Sequence, residues 1–323
     1  MLDALSKSFF HALAGSKGME RLASRYGMAK PTSFARRFIA GETAEEALGA
    51  ARALQVKGLM LTLDQLGESI TTLPESAAAT KAYIALIETV AAAGIDRNIS
   101  IKPTQLGLDI DMAVCVDNVT RILDLARRHE FFVRIDMENS PYIQKTLDMF
   151  NAVWAQGFRN TGVVLQSAIF RSEDDARAVS KLGARVRLVK GAYMEPAAVA
   201  HQAKADVDKA YVRIMKGLLT EGHYPAIATH DPAMIAAAKA FVADRRIPKD
   251  AFEFQMLYGI RRDLQTALVA EGYRMRVYVP FGTQWFRYFM RRLGERPANV
   301  AWVLKGIISD RGSRSGDSTS SPR

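Results

Sequence analysis

The chain has a single cysteine, Cys115, among its 323 residues, which excludes an intrachain disulfide and any metal site built from several thiolates. Long apolar runs are missing too. No stretch approaches the roughly 20 residues that cross a bilayer, and the N-terminus lacks an apolar core followed by a small-residue cleavage site. These absences predict a cytoplasmic protein, with peripheral contact at the inner membrane face left open. There is no G-x-G anywhere, so the glycine fingerprint of a dinucleotide-binding open sheet is absent. A polybasic run is also lacking: the formal charge is +10, but the basic residues fall as scattered pairs such as Arg36 with Arg37, Arg127 with Arg128, and Arg245 with Arg246. Nucleic-acid grooves are bound by a concentrated basic stripe, so the excess charge suits an anionic small molecule or membrane face better.

What is present is patterning. Residues 1–55 show helical spacing, with Leu5, Phe9, Phe10 and Leu13 on one side and a helix start at Thr43-Ala-Glu-Glu46, and read as an N-terminal helical arm. From Gly58 the pattern changes to short apolar runs separated by longer stretches of helical period. The runs are Leu59–Leu63, Ile99–Lys102, Phe132–Asp136, Val163–Gln166, Val186–Lys190, Ala226–Thr229, Phe252–Leu257 and Arg276–Val279. Repeated strand-helix units of this kind predict an α/β fold in which eight units close into a (βα)8 TIM-type barrel. The rival is an open doubly wound sheet. The domain plan is an arm (1–55), a barrel catalytic domain (56–310) and a tail (311–323) too polar to bury, which predicts disorder.

At or near the ends of the eight runs stand polar residues: Asp64, Lys102, Asp136, Gln166, Lys190, Thr229 with His230, Gln255, and Tyr278. In a barrel these ends share one face, and that face is catalytic. Other roles exist for single members. Lys102 and Asp136 on neighbouring strands can simply neutralise each other, and His230 can be a satisfied residue beside a helix start. Thr229-His230-Asp231-Pro232 places Asp231 at an N-cap and Pro232 at N1, making a helix N-terminus suited to phosphate. Lys190-Gly191-Ala192 adds a cation and small residues, and together these predict a phosphorylated cofactor. Tyr288, Arg291, Arg292 and Glu295 lie on one helix face, where paired guanidinium forks suit a carboxylate. This helix directly follows the eighth strand, so it can fold over the barrel mouth; the competing role is a solvated face with an Arg-Glu pair.

Six ordered segments give a resemblance. Ser100-Ile-Lys-Pro-Thr104, Val133-Arg-Ile-Asp-Met-Glu138, Arg187-Leu-Val-Lys-Gly-Ala-Tyr193, Ala228-Thr-His-Asp231, Phe252-Glu-Phe-Gln-Met-Leu257, and Val277-Tyr-Val-Pro-Phe-Gly282 followed by Tyr288-x-x-Arg-Arg resemble the single-domain bacterial proline dehydrogenases. The resemblance runs from Leu63 to about Ile308. It implies a (βα)8 barrel with FAD across the strands' C-terminal ends. It further implies that Arg291, Arg292 and Lys102 bind the carboxylate of L-proline, that Tyr278, Tyr288 and Leu257 pack around its ring, that Glu295 holds the arginines, and that Asp136 pairs with Lys102. Gln166, Arg187, Val189, Lys190, Gly191, Ala192, Thr229, His230 and Gln255 would bind the flavin. The implied partners are a membrane quinone as electron acceptor and a separate pyrroline-5-carboxylate dehydrogenase; no metal is implied. One departure is Met194, where many relatives carry a tryptophan against the flavin. Two other functions fit the bare residues: a lyase or aldolase using Lys102 or Lys190 as a Schiff base, and a carboxylate or phosphate sensor without turnover.

Overall fold

The structure, a computed structural model, describes Met28 and residues 33–295. The apolar runs form eight strands: β1 (Met60–Gln65), β2 (Asn98–Ile101), β3 (Phe132–Ile135), β4 (Thr161–Gln166), β5 (Arg185–Val189), β6 (Ala226–Ala228), β7 (Glu253–Leu257) and β8 (Met275–Phe281). Each pairs in parallel with the next, and β8 returns onto β1 from Met60 opposite Arg276 to Gln65 opposite Phe281, closing the barrel. The α-helices are α1 (Ala44–Gln55), α2 (Leu73–Ala93), α3 (Met112–Arg128), α4 (Ser140–Ala155), α5 (Ser172–Lys181), α6 (Lys204–Glu221), α7 (Pro232–Asp244), α8 (Arg262–Ala270) and α9 (Trp285–Glu295). The (βα)8 barrel expected from the pattern is the fold observed.

Local chemistry sets the helix starts. Thr43 caps α1, its hydroxyl accepting from the Glu46 N–H at 3.3 Å while the Glu46 carboxylate accepts from the Glu42 N–H at 2.7 Å, which satisfies donors that a helix cannot satisfy itself. Asp231 caps α7 through the Ala233 N–H at 3.0 Å, with Pro232 at the first helical position, as its motif predicts.

Side chains alternate along each strand. One set, including Leu61, Leu63, Ile99, Ile101, Val133, Ile135, Val186 and Leu188, is fully buried in the main apolar cluster with the surrounding helices. The alternate set points into the barrel and is polar. Thr62 donates to Asn98 at 2.7 Å, Arg187 Nη2 to Ser100 Oγ at 3.3 Å, and Arg276 Nε to Glu253 at 2.8 Å. Space for this set is made by Gly162, where a Cβ would lie 2.8 Å from the Arg134 guanidinium and 2.2 Å from the Arg185 carbonyl oxygen. Branched apolar residues usually fill such barrels, so this interior is chemically distinct.

The ends of the barrel differ from the sequence pattern in one respect. Asp64 and Tyr278 lie inside β1 and β8, which continue to Gln65 and Phe281. A polar residue signals a strand end only when it faces a turn, and these two face the barrel interior.

Helix α1 packs against β1 and β8, so this part of the arm belongs to the barrel wall. Helix α9 instead forms a second apolar cluster, in which Trp285, Phe286, Phe289 and Leu293 meet Met28, Phe38, Ile39 and Leu66. Trp285 Nε1 donates to Glu42 at 3.0 Å, and the Ala40 N–H donates to the Pro280 carbonyl at 2.9 Å. The segment before α1 thus buttresses α9 over the barrel mouth. Residues 1–27 of the arm and the 311–323 tail lie outside the described residues.

Candidate active site

A cavity of about 400 Å³ opens where the strands end, a size typical of small-molecule sites. Lys102, Asp136, Gln166, Arg187, Val189, Lys190, Gly191, Ala192, Thr229, His230, Gln255, Leu257 and Tyr278 reach it from the barrel, and Tyr288, Arg291 and Arg292 from α9. Closure of the barrel brings together residues spread over nearly two hundred positions. The side chain of Glu295, the remaining residue expected here, lies outside the described part.

Asp136 organises the floor. Its Oδ1 accepts from Arg187 Nη1 at 2.9 Å and its Oδ2 from the Tyr278 hydroxyl at 2.7 Å. The Arg187 guanidinium also stacks 5.3 Å from the Tyr278 ring centroid. The Lys102 ammonium bonds Asp64 at 2.6 Å and stands 3.9 Å from Asp136. The expected Lys102–Asp136 ion pair is present at 3.9 Å, and Asp64 is a second, closer partner at 2.6 Å, while Arg187 and Tyr278 hydrogen-bond Asp136. Burial raises Asp64 above the usual carboxylate range against the pull of Lys102. Burial also works against the charge on Lys102, but Asp64 and Asp136 outweigh it and hold the ammonium above the usual lysine range. Lys102 is thus a fixed cation and a poor candidate for a Schiff base. Burial, then Asp136, push the Tyr278 phenol well upward, keeping it a donor.

The roof has a partner the sequence pattern did not reveal. Arg291 Nη1 bonds both oxygens of Glu68, at 2.9 and 3.0 Å, and Glu68 comes from the loop after β1. Burial would raise Glu68, but Arg291 overrides it and leaves the carboxyl below its ordinary range. Arg292 stacks 5.2 Å from the centroid of Tyr288. Tyr193, pushed up to about 12 by burial with Arg291 acting against, completes this side.

On the third side Lys190 lies 2.5 Å from Asp208 and 2.7 Å from Asp231, and Lys204 pairs with the same two carboxylates. His230 Nε2 accepts from the Leu257 N–H at 2.9 Å, so its proton sits on Nδ1. Gln166 donates to the Glu138 carbonyl at 2.8 Å. Gly191 has φ 113°, and a Cβ there would come within 3.0 Å of Gln166 Oε1. The positive φ favours glycine, and a side chain here would also crowd Gln166. Glu138, which also lines the cavity, is raised by burial although Thr104 donates to both its oxygens.

Sequence reasoning missed Glu68, Lys204 and Asp208 as parts of this site. Lys204 and Asp208 carried a usable signal, standing one turn apart at the start of the helix after β5. Glu68 carried none, since nothing in a loop's composition says which helix it meets.

The residues fit a phosphorylated, ring-bearing cofactor. Arg187 Nε is buried without a partner, a donor suited to a ring acceptor, and Gly191 leaves its backbone approachable. Lys190, Lys204 and the α7 N-terminus supply charge and N–H groups for a diphosphate. Among the described residues no cluster of His, Cys, Asp or Glu is arranged to hold a metal. No helix among them is long and apolar enough to cross a membrane.

A cavity lined by Lys102, Arg291 and Arg292 beside a lysine-flanked helix N-terminus, at the C-terminal face of a (βα)8 barrel, suits a cofactor-dependent barrel enzyme. The family profile described as proline dehydrogenase matches residues 47–304. Proline dehydrogenase 2 of Bacillus subtilis strain 168 is 41% identical over 303 residues, covering 94% of this chain and 99% of that protein. The proline dehydrogenase of Deinococcus radiodurans is 41% identical over 312 residues, covering 95% and 99%. Among solved structures, proline utilization A (PutA) from Bdellovibrio bacteriovorus, inactivated by N-propargylglycine, superposes with a TM-score of 0.76 at 28% identity. That match covers 86% of this chain and 34% of the PutA chain, so this chain spans about a third of that protein. The chain belongs to the proline dehydrogenase family of oxidoreductases, whose cofactor is FAD.

Proposed function

We propose that the chain oxidises L-proline to pyrroline-5-carboxylate, the first step of proline catabolism to glutamate, and that its FAD passes the electrons to a quinone. The observation that carries this reading is the convergence of Arg291, Arg292 and Lys102 on one cavity from opposite sides. Three cations there suit one small carboxylate, held by charge-assisted hydrogen bonds. When bound, the flavin supplies two-electron oxidation.

The chain's own groups bind and orient. Arg291 and Arg292 hold the substrate carboxylate from α9, and Lys102 meets it from β2. Leu257, Tyr278 and Tyr288 form the walls around the ring. Asp136 positions Arg187 and Tyr278. Gln166, Arg187, Val189, Lys190, Gly191, Ala192, Thr229, His230 and Gln255 would hold the flavin, with Arg187 Nε available to donate to a ring acceptor. Proline's ring carbon loses a hydride and its nitrogen a proton, so a neutral amine needs no strong base. Much of the rate then comes from positioning. The formal charge of +10 supports brief contact with an anionic cytoplasmic membrane face, where a quinone would be met. The product hydrolyses to a semialdehyde, and a separate pyrroline-5-carboxylate dehydrogenase would oxidise it to glutamate. The ion-paired state of Lys102 favours this reading over Schiff-base chemistry.

The test is turnover of the FAD-loaded protein with proline and a soluble quinone. One quinone reduced per proline, with a product two hydrogens lighter, is the expected result. No proline consumed, or a lysine adduct trapped by borohydride, overturns it.

A further inference from the structure

The opposite mouth of the barrel, where the strands begin, carries a chemistry that the proposed reaction does not use. Arg134, Arg185, Arg274 and Arg276 gather there with two carboxylates, Glu253 and Asp96. Both carboxylates are committed to Arg276, which lies 2.8 Å from Glu253 and 2.7 Å from Asp96. Glu253 also accepts from the Tyr224 hydroxyl at 3.2 Å and from Gln255, and Asp96 from the Leu61 N–H at 2.9 Å.

The other three arginines have no ion pair among the described residues. Arg134 is 3% exposed and donates to two carbonyl oxygens, of Val163 at 3.1 Å and Arg185 at 2.6 Å. Arg274 donates to the Tyr224 hydroxyl at 3.1 Å. The Arg185 guanidinium makes no hydrogen bond at all among these residues. It is held between two rings, 4.8 Å from the centroid of Phe132 and 4.8 Å from that of Tyr224. Arg134 shares the Phe132 ring at 4.8 Å and Arg274 the Tyr224 ring at 5.4 Å. Each of the three guanidiniums therefore lies against one or both of these rings, oriented by stacking instead of by carboxylates. Burial and then the neighbouring charge of Arg187 push Arg134 well below the usual arginine range; Arg185 is lowered mainly by burial. Four guanidiniums share Glu253 and Asp96 at this mouth, so positive charge is in excess and an arriving anion is favoured.

We infer that the N-terminal mouth of the barrel is a binding site for a small oxyanion of the phosphate class, taken by Arg185 and Arg274 and backed by the buried charge of Arg134. Planar guanidinium forks match such an ion, and the site is separate from the flavin and proline side chains.

Isothermal titration of the FAD-loaded protein with inorganic phosphate, at constant ionic strength in chloride, is the test. Saturable binding is expected, weakened about tenfold or more by Arg185→Gln and by Arg274→Gln, with flavin absorbance and proline turnover unchanged in both. Arg185→Lys keeps the charge but loses the fork, and its binding should be weakened as well. If a glutamine variant does not fold, the lysine variant and the wild-type titration decide. Co-sedimentation with phosphatidic acid vesicles separates the sources: Arg185-dependent pelleting assigns a lipid phosphate, and phosphate binding without pelleting assigns a free ion. No saturable phosphate binding, or binding that all three variants retain, overturns the inference.

Discussion

Asp136 and Arg187 meet at 2.9 Å across the intervening strand β4, and the same carboxylate holds the Tyr278 hydroxyl at 2.7 Å. Asp136→Asn keeps the shape and loses the charge that orients Arg187 under the cavity. Proline turnover should fall about ten- to a hundredfold, the scale of one or two charge-assisted hydrogen bonds, while FAD content stays near wild type. Steady-state kinetics with flavin quantitation checks this. Unchanged kcat would remove Asp136 as a positioning residue.

The α9 arginines have a different signature. Arg291→Ala and Arg292→Ala should each raise the KM for proline about ten- to a hundredfold, and lysine should restore little because it lacks the planar fork. Normal proline saturation in both alanine variants would exclude them from the carboxylate site.

How far the molecule was legible from sequence shows in Lys102. Periodicity located β2 and placed the lysine at its end, facing the cavity with the other strand ends. It paired the lysine with Asp136 on one side of β2 and did not show Asp64 on the other, which is the closer partner; how near each carboxylate comes is set by the closed barrel. The same limit applies to Arg291, whose described partner is Glu68 from a distant loop. Glycine 162, strand-start arginines and the role of α1 as wall were equally silent, because each becomes meaningful only once the ring of strands has closed.

Substrate choice should depend on Tyr288. It is 6% exposed, lines the cavity and stacks with Arg292 at 5.2 Å. A hydroxyl on ring carbon 4 of the substrate would meet its ring in a desolvated space, where an unpaired polar group is costly. Proline should be clearly preferred over 4-hydroxyproline, and Tyr288→Ser should narrow the preference mainly by lowering kcat/KM for proline. An unchanged ratio of kcat/KM between the two substrates, with lowered stability alone, would give Tyr288 a packing role only.

Acid should loosen the ion-paired corner around Lys190. Burial acts to raise Asp231, but its bonds to Lys190 and the Ala233 N–H win and lower it from 3.8 to about 2. A carboxyl depressed on folding stabilises the fold above its unfolded pKa, and that contribution disappears as pH falls from about 4 through about 2. Asp231→Asn keeps the cap but loses the ion pair with Lys190, which should cost about 1 kcal/mol or less at neutral pH, or a melting temperature about 1–2 °C lower. The difference from wild type should close near pH 2. A gap that stays constant across this range would contradict the ionic account.

The central claim, a flavin reduced by proline in this cavity, is tested most directly by anaerobic spectroscopy of the FAD-loaded protein. Addition of L-proline should bleach the flavin absorbance, with the Arg291→Ala variant requiring far more proline for the same bleaching. A protein that binds no FAD, or whose bound flavin keeps its oxidised spectrum at saturating proline, would contradict the account.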